Sequence, residues 1–115
     1  MDTLDSLIQK IRSVSKDLVI QKLAEQLSNW KLDSNDVRQL EELIEKFIGT
    51  TWIESESEHS EVYQLWTNFK KENIHVIQGM TMNERLVSFG LIKRYDNSRT
   101  REKKDVIYSK LLAKR

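Results

Sequence analysis

The chain has 115 residues, of which 38% are hydrophobic and 32% are charged, and it contains no cysteine. This composition is too rich in core-forming residues for a disordered chain, and the length suits one folded domain spanning residues 1–115. The lack of cysteine excludes disulfides, thiolate zinc sites and a cysteine nucleophile. No apolar run approaches the roughly 20 residues that span a bilayer, and the start is not typical of an export signal, so we expect a cytoplasmic protein without a membrane partner.

The net charge of +1 hides a division along the chain. Residues 1–61 hold 13 acidic and 7 basic residues, a net of −6, whereas residues 62–115 hold 5 acidic and 12 basic residues, a net of +7. Segregated charge of this kind bears on the choice of partner rather than on the fold. The sequence therefore predicts two surfaces of opposite sign.

Helical periodicity dominates the first half. The chain has no proline and only three glycines, and its apolar residues recur at helical spacing. A weak break near residues 13–16 leaves open whether residues 3–29 form one helix or two. Asp33 is placed to cap a further helix, with Leu32 and Val37 as a hydrophobic staple, and Gly49 is placed to end it. Residues 50–53 are the only plausible extended piece.

Sequence signals for the starts and ends of helices are stronger in the second half. Ser55 with Glu58, and Thr81 with Glu84, have the spacing of capping boxes. Gly90 is placed to end the short helix that Thr81 opens, in a Schellman motif. With further helical stripes towards the end of the chain, the pattern predicts an all-α fold, an irregular orthogonal bundle of about five to seven short helices.

The residues of common enzymes are missing. His59 and His75 are the two histidines, and neither lies in a recognisable catalytic or zinc-binding pattern, so we interpret both as surface or boundary residues. The glycines at 49, 79 and 90 are too far apart for a phosphate-binding loop. We therefore expect no catalytic activity, no cofactor and no metal site.

Acidic residues are concentrated in an acidic segment, defined here as residues 54–61, which contains Glu54, Glu56, Glu58 and Glu61. These residues fit a solvated helix start, where negative charge is favourable, and they also fit a patch that docks on a basic surface. Trp52 precedes the segment and fits a binding anchor about as well as a core residue. Trp66 and Phe69 lie on a helical stripe and are assigned to the core.

The C-terminal region is basic and allows a second interpretation. Nine basic residues lie between 93 and 115: Lys93, Arg94, Arg99, Arg101, Lys103, Lys104, Lys110, Lys114 and Arg115. They could neutralise the phosphates of a nucleic acid. Acidic residues are interleaved among them and no helix-turn-helix pattern is present, so a solvated basic face is favoured over a nucleic-acid-binding module.

Tyr63, Trp66 and Phe69 are followed by the segment GMTMNERL at residues 79–86 and by Phe89-Gly90-Leu91. Over roughly residues 50–112, this resembles a small helical bacterial family, the immunity proteins of contact-dependent growth inhibition systems. The resemblance implies a binding protein that neutralises a cognate toxin domain, commonly a nuclease, by covering its active cleft. The acidic segment would then stand in for phosphate oxygens, although the net charge of +1 departs from the acidic character of such proteins.

Overall fold

A computed structural model describes residues 2–51 and 53–114. Over these ranges the chain forms seven α-helices: α1 (Leu4–Val14), α2 (Leu18–Trp30), α3 (Val37–Thr50), α4 (Glu56–Phe69), α5 (Met82–Ser88), α6 (Ile92–Asp96) and α7 (Arg101–Lys110). A π-helical turn at Lys70–Ile74 and a 3-10 turn at Ile77–Gly79 lie between α4 and α5. The described residues include no β-strand, so the predicted all-α class is confirmed.

Residues 3–29 form two helices because the chain supplies hydrogen-bond partners at the break. The Asp17 carboxylate accepts from the Val19 amide (2.8 Å) and caps α2. The Gln21 side chain donates to the carbonyls of Arg12 (3.1 Å) and Ser15 (2.7 Å), and so satisfies carbonyl groups at the end of α1. Side chains therefore replace the helical bonds that the break removes.

The predicted cap at Asp33 is wrong. Asp36 caps α3, since its carboxylate accepts from the Gln39 amide (2.9 Å) and the Gln39 side chain accepts from the Asp36 amide (2.8 Å). Asp36 is the cap because it lies directly before the helix and has a glutamine three residues later, which completes a capping box. Leu32 is 77% exposed and forms no staple.

The structure also corrects the predictions for Gly49 and for Thr50. Gly49 lies inside α3, which continues to Thr50, so Gly49 does not end the helix. Of the stretch expected to be extended, Thr50 is helical, whereas Thr51 does have an extended backbone (φ −107°, ψ 135°). Ile53 is buried. Trp52 lies outside the described residues.

The second half follows its local signals closely. The Ser55 hydroxyl accepts from the Glu58 amide and caps α4, although the return bond from the Ser55 amide to the Glu58 carboxylate, which would complete the predicted capping box, is not formed. Thr81 and Glu84 exchange both bonds of a capping box at the start of α5. Gly90 has a φ of +66°, and the Leu91 amide reaches back to the Leu86 carbonyl (2.9 Å), which completes the Schellman motif.

One hydrophobic cluster joins residues from α1 to the end of α7. At its centre four buried aromatic rings follow one another: Trp30 lies 5.8 Å from Phe89, Phe89 lies 5.7 Å from Phe69, and Phe69 lies 6.0 Å from Trp66, measured between ring centroids. Because these rings come from α2, from the end of α5 and from α4, they tie the two halves of the chain together. The assignment of Trp66 and Phe69 to the core is confirmed.

Candidate functional site

The acidic segment lies at the start of α4 and faces solvent. Ser55 fixes the first turn of the helix, and the buried side chains of Val62, Trp66 and Phe69 hold the opposite face against the core. Glu54, Glu56 and Glu61 are exposed and Glu58 is partly exposed. The amphipathic character of α4 therefore presents these carboxylates outward.

No cation neutralises these carboxylates within the described ranges 2–51 and 53–114. The ion pairs there join other residues, such as Lys70 with Glu45 and Lys31 with Asp5. Glu56 and Glu58 lie in the first turn of α4, where the helix dipole stabilises negative charge without removing it from solvent. The segment thus keeps its charge available to a partner.

A cavity of about 460 Å³ opens beside the acidic segment. Ile48 and Ile53 contribute apolar walls, and Glu54 and Glu56 line the same cavity. Its described lining includes no lysine or arginine. An aliphatic stem that ends in a cationic head, as in lysine and arginine, matches this combination of surfaces.

An aromatic ring extends the same face of α4. Tyr63 is 46% exposed, and it lies seven residues after Glu56, which places the two side chains on one side of the helix. Exposed tyrosine beside charge is the composition of a binding hot spot. Of the aromatic candidates in this region, Tyr63 is therefore the accessible one within the described chain.

Some cations of the basic C-terminal region, unlike the carboxylates of the acidic segment, are bonded within the fold, and Lys110 is the clearest case. Its side chain is 0% exposed. Its ammonium group donates to the Asp33 carboxylate (2.8 Å) and to the carbonyls of Asp33 (3.0 Å) and Asn35 (2.8 Å). It also lies 3.8 Å from the centroid of the Trp30 ring. Burial lowers the pKa of Lys110, and the Asp33 carboxylate opposes that change.

Arg94 and Arg85 are also bound to the backbone. Arg94 donates to the carbonyls of Lys31 (2.7 Å) and Asp33 (2.8 Å). Arg85 is buried and donates to the carbonyls of Met80 (3.2 Å) and Leu111 (2.9 Å). Glu84 instead accepts from the Thr81 amide (3.0 Å) and caps α5.

Arg94 and Lys110 hold the loop that contains Asp33. The loop of residues 31–35, between α2 and α3, carries carbonyl groups that no helix satisfies, and Arg94 and Lys110 supply the missing donors. Assigning Lys110 to a solvated basic face was therefore wrong. The signal was present in the sequence, since Lys110 shares the helical stripe of the buried residues Ile107 and Leu111.

The two histidines differ in their surroundings. His59 lines the cavity beside the acidic segment. His75 lies 3.3 Å from the Glu41 carboxylate. The described residues contain no group of three or more histidine, cysteine, aspartate or glutamate residues that could hold a metal ion.

In comparisons with known proteins, no family model, no curated protein and no solved structure matches the chain. Within the described part of the chain, every helix is too short or too polar to cross a membrane.

Proposed function

We propose that this chain is an immunity protein, a binding protein that neutralises a cognate toxin domain by covering the toxin's active cleft with the acidic segment. The observation that carries the proposal is a set of solvent-facing carboxylates at Glu54, Glu56, Glu58 and Glu61, for which the described chain supplies no cation. A nuclease is the class of toxin that this surface suits, because a nuclease cleft is basic in order to hold phosphates.

The cavity beside Glu54 and Glu56 supports the same proposal. It offers two carboxylates and an isoleucine wall to a lysine or arginine side chain of the toxin. Tyr63 adds an exposed ring on the same helix. Central aromatic and charged contacts of this type contribute most of the binding energy at protein interfaces.

Residues 79–91 resemble a family of immunity proteins, and this resemblance supports a toxin domain as the partner. The hydrogen bonds of these residues, in contrast, account only for a structural role. Thr81 and Glu84 cap a helix and Gly90 ends it. The recognition surface is therefore assigned to the acidic segment and not to this motif.

The test begins with the gene beside the one that encodes this chain. Where that gene encodes a large secreted protein with a variable C-terminal domain, that domain is expressed with and without this chain. We expect growth to be protected, and we expect an association rate that falls as salt rises. Growth arrest that this chain does not relieve would refute the proposal.

The interface is tested by changing Glu54, Glu56, Glu58 and Glu61 together to lysine. A matched control changes four other exposed acids, Glu25, Glu42, Asp96 and Glu102, to lysine and so reaches the same net charge. We expect the first variant to lose toxin binding and protection and the control to retain both, with circular dichroism showing that each is folded. Equal behaviour of the two variants would show that the acidic segment is not the interface.

A further inference from the structure

A second surface lies between the 31–35 loop and the last two helices. It is a cavity of about 580 Å³, called here the basic groove, whose lining includes Leu32, Lys93, Arg94, Asn97, Lys103 and Val106. This volume is within the range of sites that bind small ligands or short peptide segments. The groove shares no lining residue with the acidic segment.

The groove has a charge of one sign. Lys93 and Lys103 are exposed, and Arg94, which is partly exposed, extends from α6 to the 31–35 loop. No acidic residue is among the described residues that line the groove. Both hydrogens of the Arg94 Nη1 atom go to carbonyls, whereas the described chain provides no acceptor for its Nη2 atom. The groove therefore offers at least three cationic groups to an anionic ligand.

Aliphatic side chains lie among these cations. Leu32 is 77% exposed and Val106 is 36% exposed, and both line the groove. Its described lining contains no aromatic ring on which a nucleic acid base could stack. A partner that combines carboxylates with aliphatic side chains fits this surface better than a nucleic acid does.

The wall of the groove is held in place before any ligand binds. The 31–35 loop is bonded to Arg94 of α6 through two carbonyls and to Lys110 of α7 through the Asp33 and Asn35 carbonyls. A surface that is already ordered loses little conformational entropy on binding. Leu32 is thus presented on a fixed loop.

We propose that the basic groove binds an acidic peptide segment of a protein partner, with carboxylates on Lys93, Arg94 and Lys103 and aliphatic side chains on Leu32 and Val106. The proposal does not depend on toxin neutralisation, because the groove and the acidic segment are separate surfaces.

The probe is a short fluorescein-labelled peptide of alternating glutamate and leucine, and binding is measured by fluorescence anisotropy on the full chain. We expect saturable binding that weakens with salt, and that weakens at least about tenfold in the variant K93E/K103E. The matched control is K16E/K22E, which reverses two exposed lysines outside the groove and makes the same change in net charge. We expect the control to change the affinity less than about twofold.

The aliphatic part is tested separately. Replacing Leu32 by serine should weaken binding, whereas replacing Leu18, which is 84% exposed outside the groove, should not. A peptide of alternating glutamate and serine should bind more weakly than the glutamate and leucine peptide.

Three results would overturn the proposal. The first is an absence of saturable binding, and the second is an equal loss of affinity in K93E/K103E and K16E/K22E. The third is a short single-stranded oligonucleotide that binds through Lys93 and Lys103 more tightly than the peptide, in variants shown to be folded by circular dichroism. That last result would assign the groove to nucleic acid.

Discussion

The acidic segment and the basic C-terminal region are both rich in charge of one sign, yet they use that charge differently. Glu54, Glu56 and Glu61 face solvent. Lys110 and Arg94, in contrast, bind backbone carbonyls of the 31–35 loop. Buried charge must be bonded because it has lost its hydration, whereas exposed charge remains free to meet a partner. A count of charges along a sequence therefore measures neither surface potential nor capacity to bind.

The largest expected effect tests the structural use of Lys110. Replacing it by alanine removes three hydrogen bonds and a contact with Trp30, and we expect the free energy of unfolding to fall by about 3 kcal/mol. K110M should lose less, since it keeps the buried stem. Urea denaturation of both variants measures this, with K103A as an exposed control. If K110A were as stable as K103A, the buried ammonium would not stabilise the fold.

Replacing Arg94 tests the structural use of a second cation, with a smaller expected loss of stability. R94A removes two charged hydrogen bonds to the carbonyls of Lys31 and Asp33. Because Arg94 is partly exposed and water can replace some of this bonding, we expect a loss of about 2 kcal/mol by urea denaturation. Its neighbour Lys93 is exposed, and K93A should change stability by less than about 0.5 kcal/mol. Similar losses in the two variants would remove the distinction between structural and free cations.

Substitutions in the acidic segment, unlike those of Lys110 and Arg94, should change the free energy of unfolding little. E56K places a positive charge in the first turn of α4 and should cost about 0.5 kcal/mol through the helix dipole. E54K lies before the helix and should cost less. Thermal unfolding at low ionic strength resolves the two. A loss above about 2 kcal/mol in E54K would mean that this carboxylate stabilises the fold.

Glu84 is exposed like the acidic segment, but its carboxylate accepts a hydrogen bond from within the fold. A hydrogen bond from the Thr81 amide holds the pKa of Glu84 below its ordinary value of 4.5. A lowered pKa in the folded state means that the ionised form stabilises the fold above the ordinary pKa, and this stability is lost as the pH falls through the folded-state pKa. The effect is expected to be the smallest of the four.

The measurement is the free energy of unfolding from pH 7 downwards, for the natural chain and for E84Q. We expect E84Q to be less stable at neutral pH and to approach the natural chain in acid. A constant difference at every pH would mean that the charge of Glu84 does not contribute.

The sequence by itself determined the helical class and the start and end of α5. Thr81 with Glu84 and the glycine at 90 act on groups within a few residues of themselves, so their spacing is sufficient to predict their bonds. Local spacing also contains the correct cap at Asp36, because Gln39 three residues later completes a capping box that Asp33 lacks.

Only the tertiary structure decided which charges are free. Asp33 and Lys110 are 77 residues apart and Arg94 and Lys31 are 63 residues apart, and no local pattern reports a contact of that range. The helical stripe that contains Lys110 indicated which face it occupies but not what would satisfy its ammonium group. The availability of the acidic segment and the form of the basic groove follow from the packing of the 31–35 loop and the helices, because burial and bonding, not composition, determine whether a charge can meet a partner.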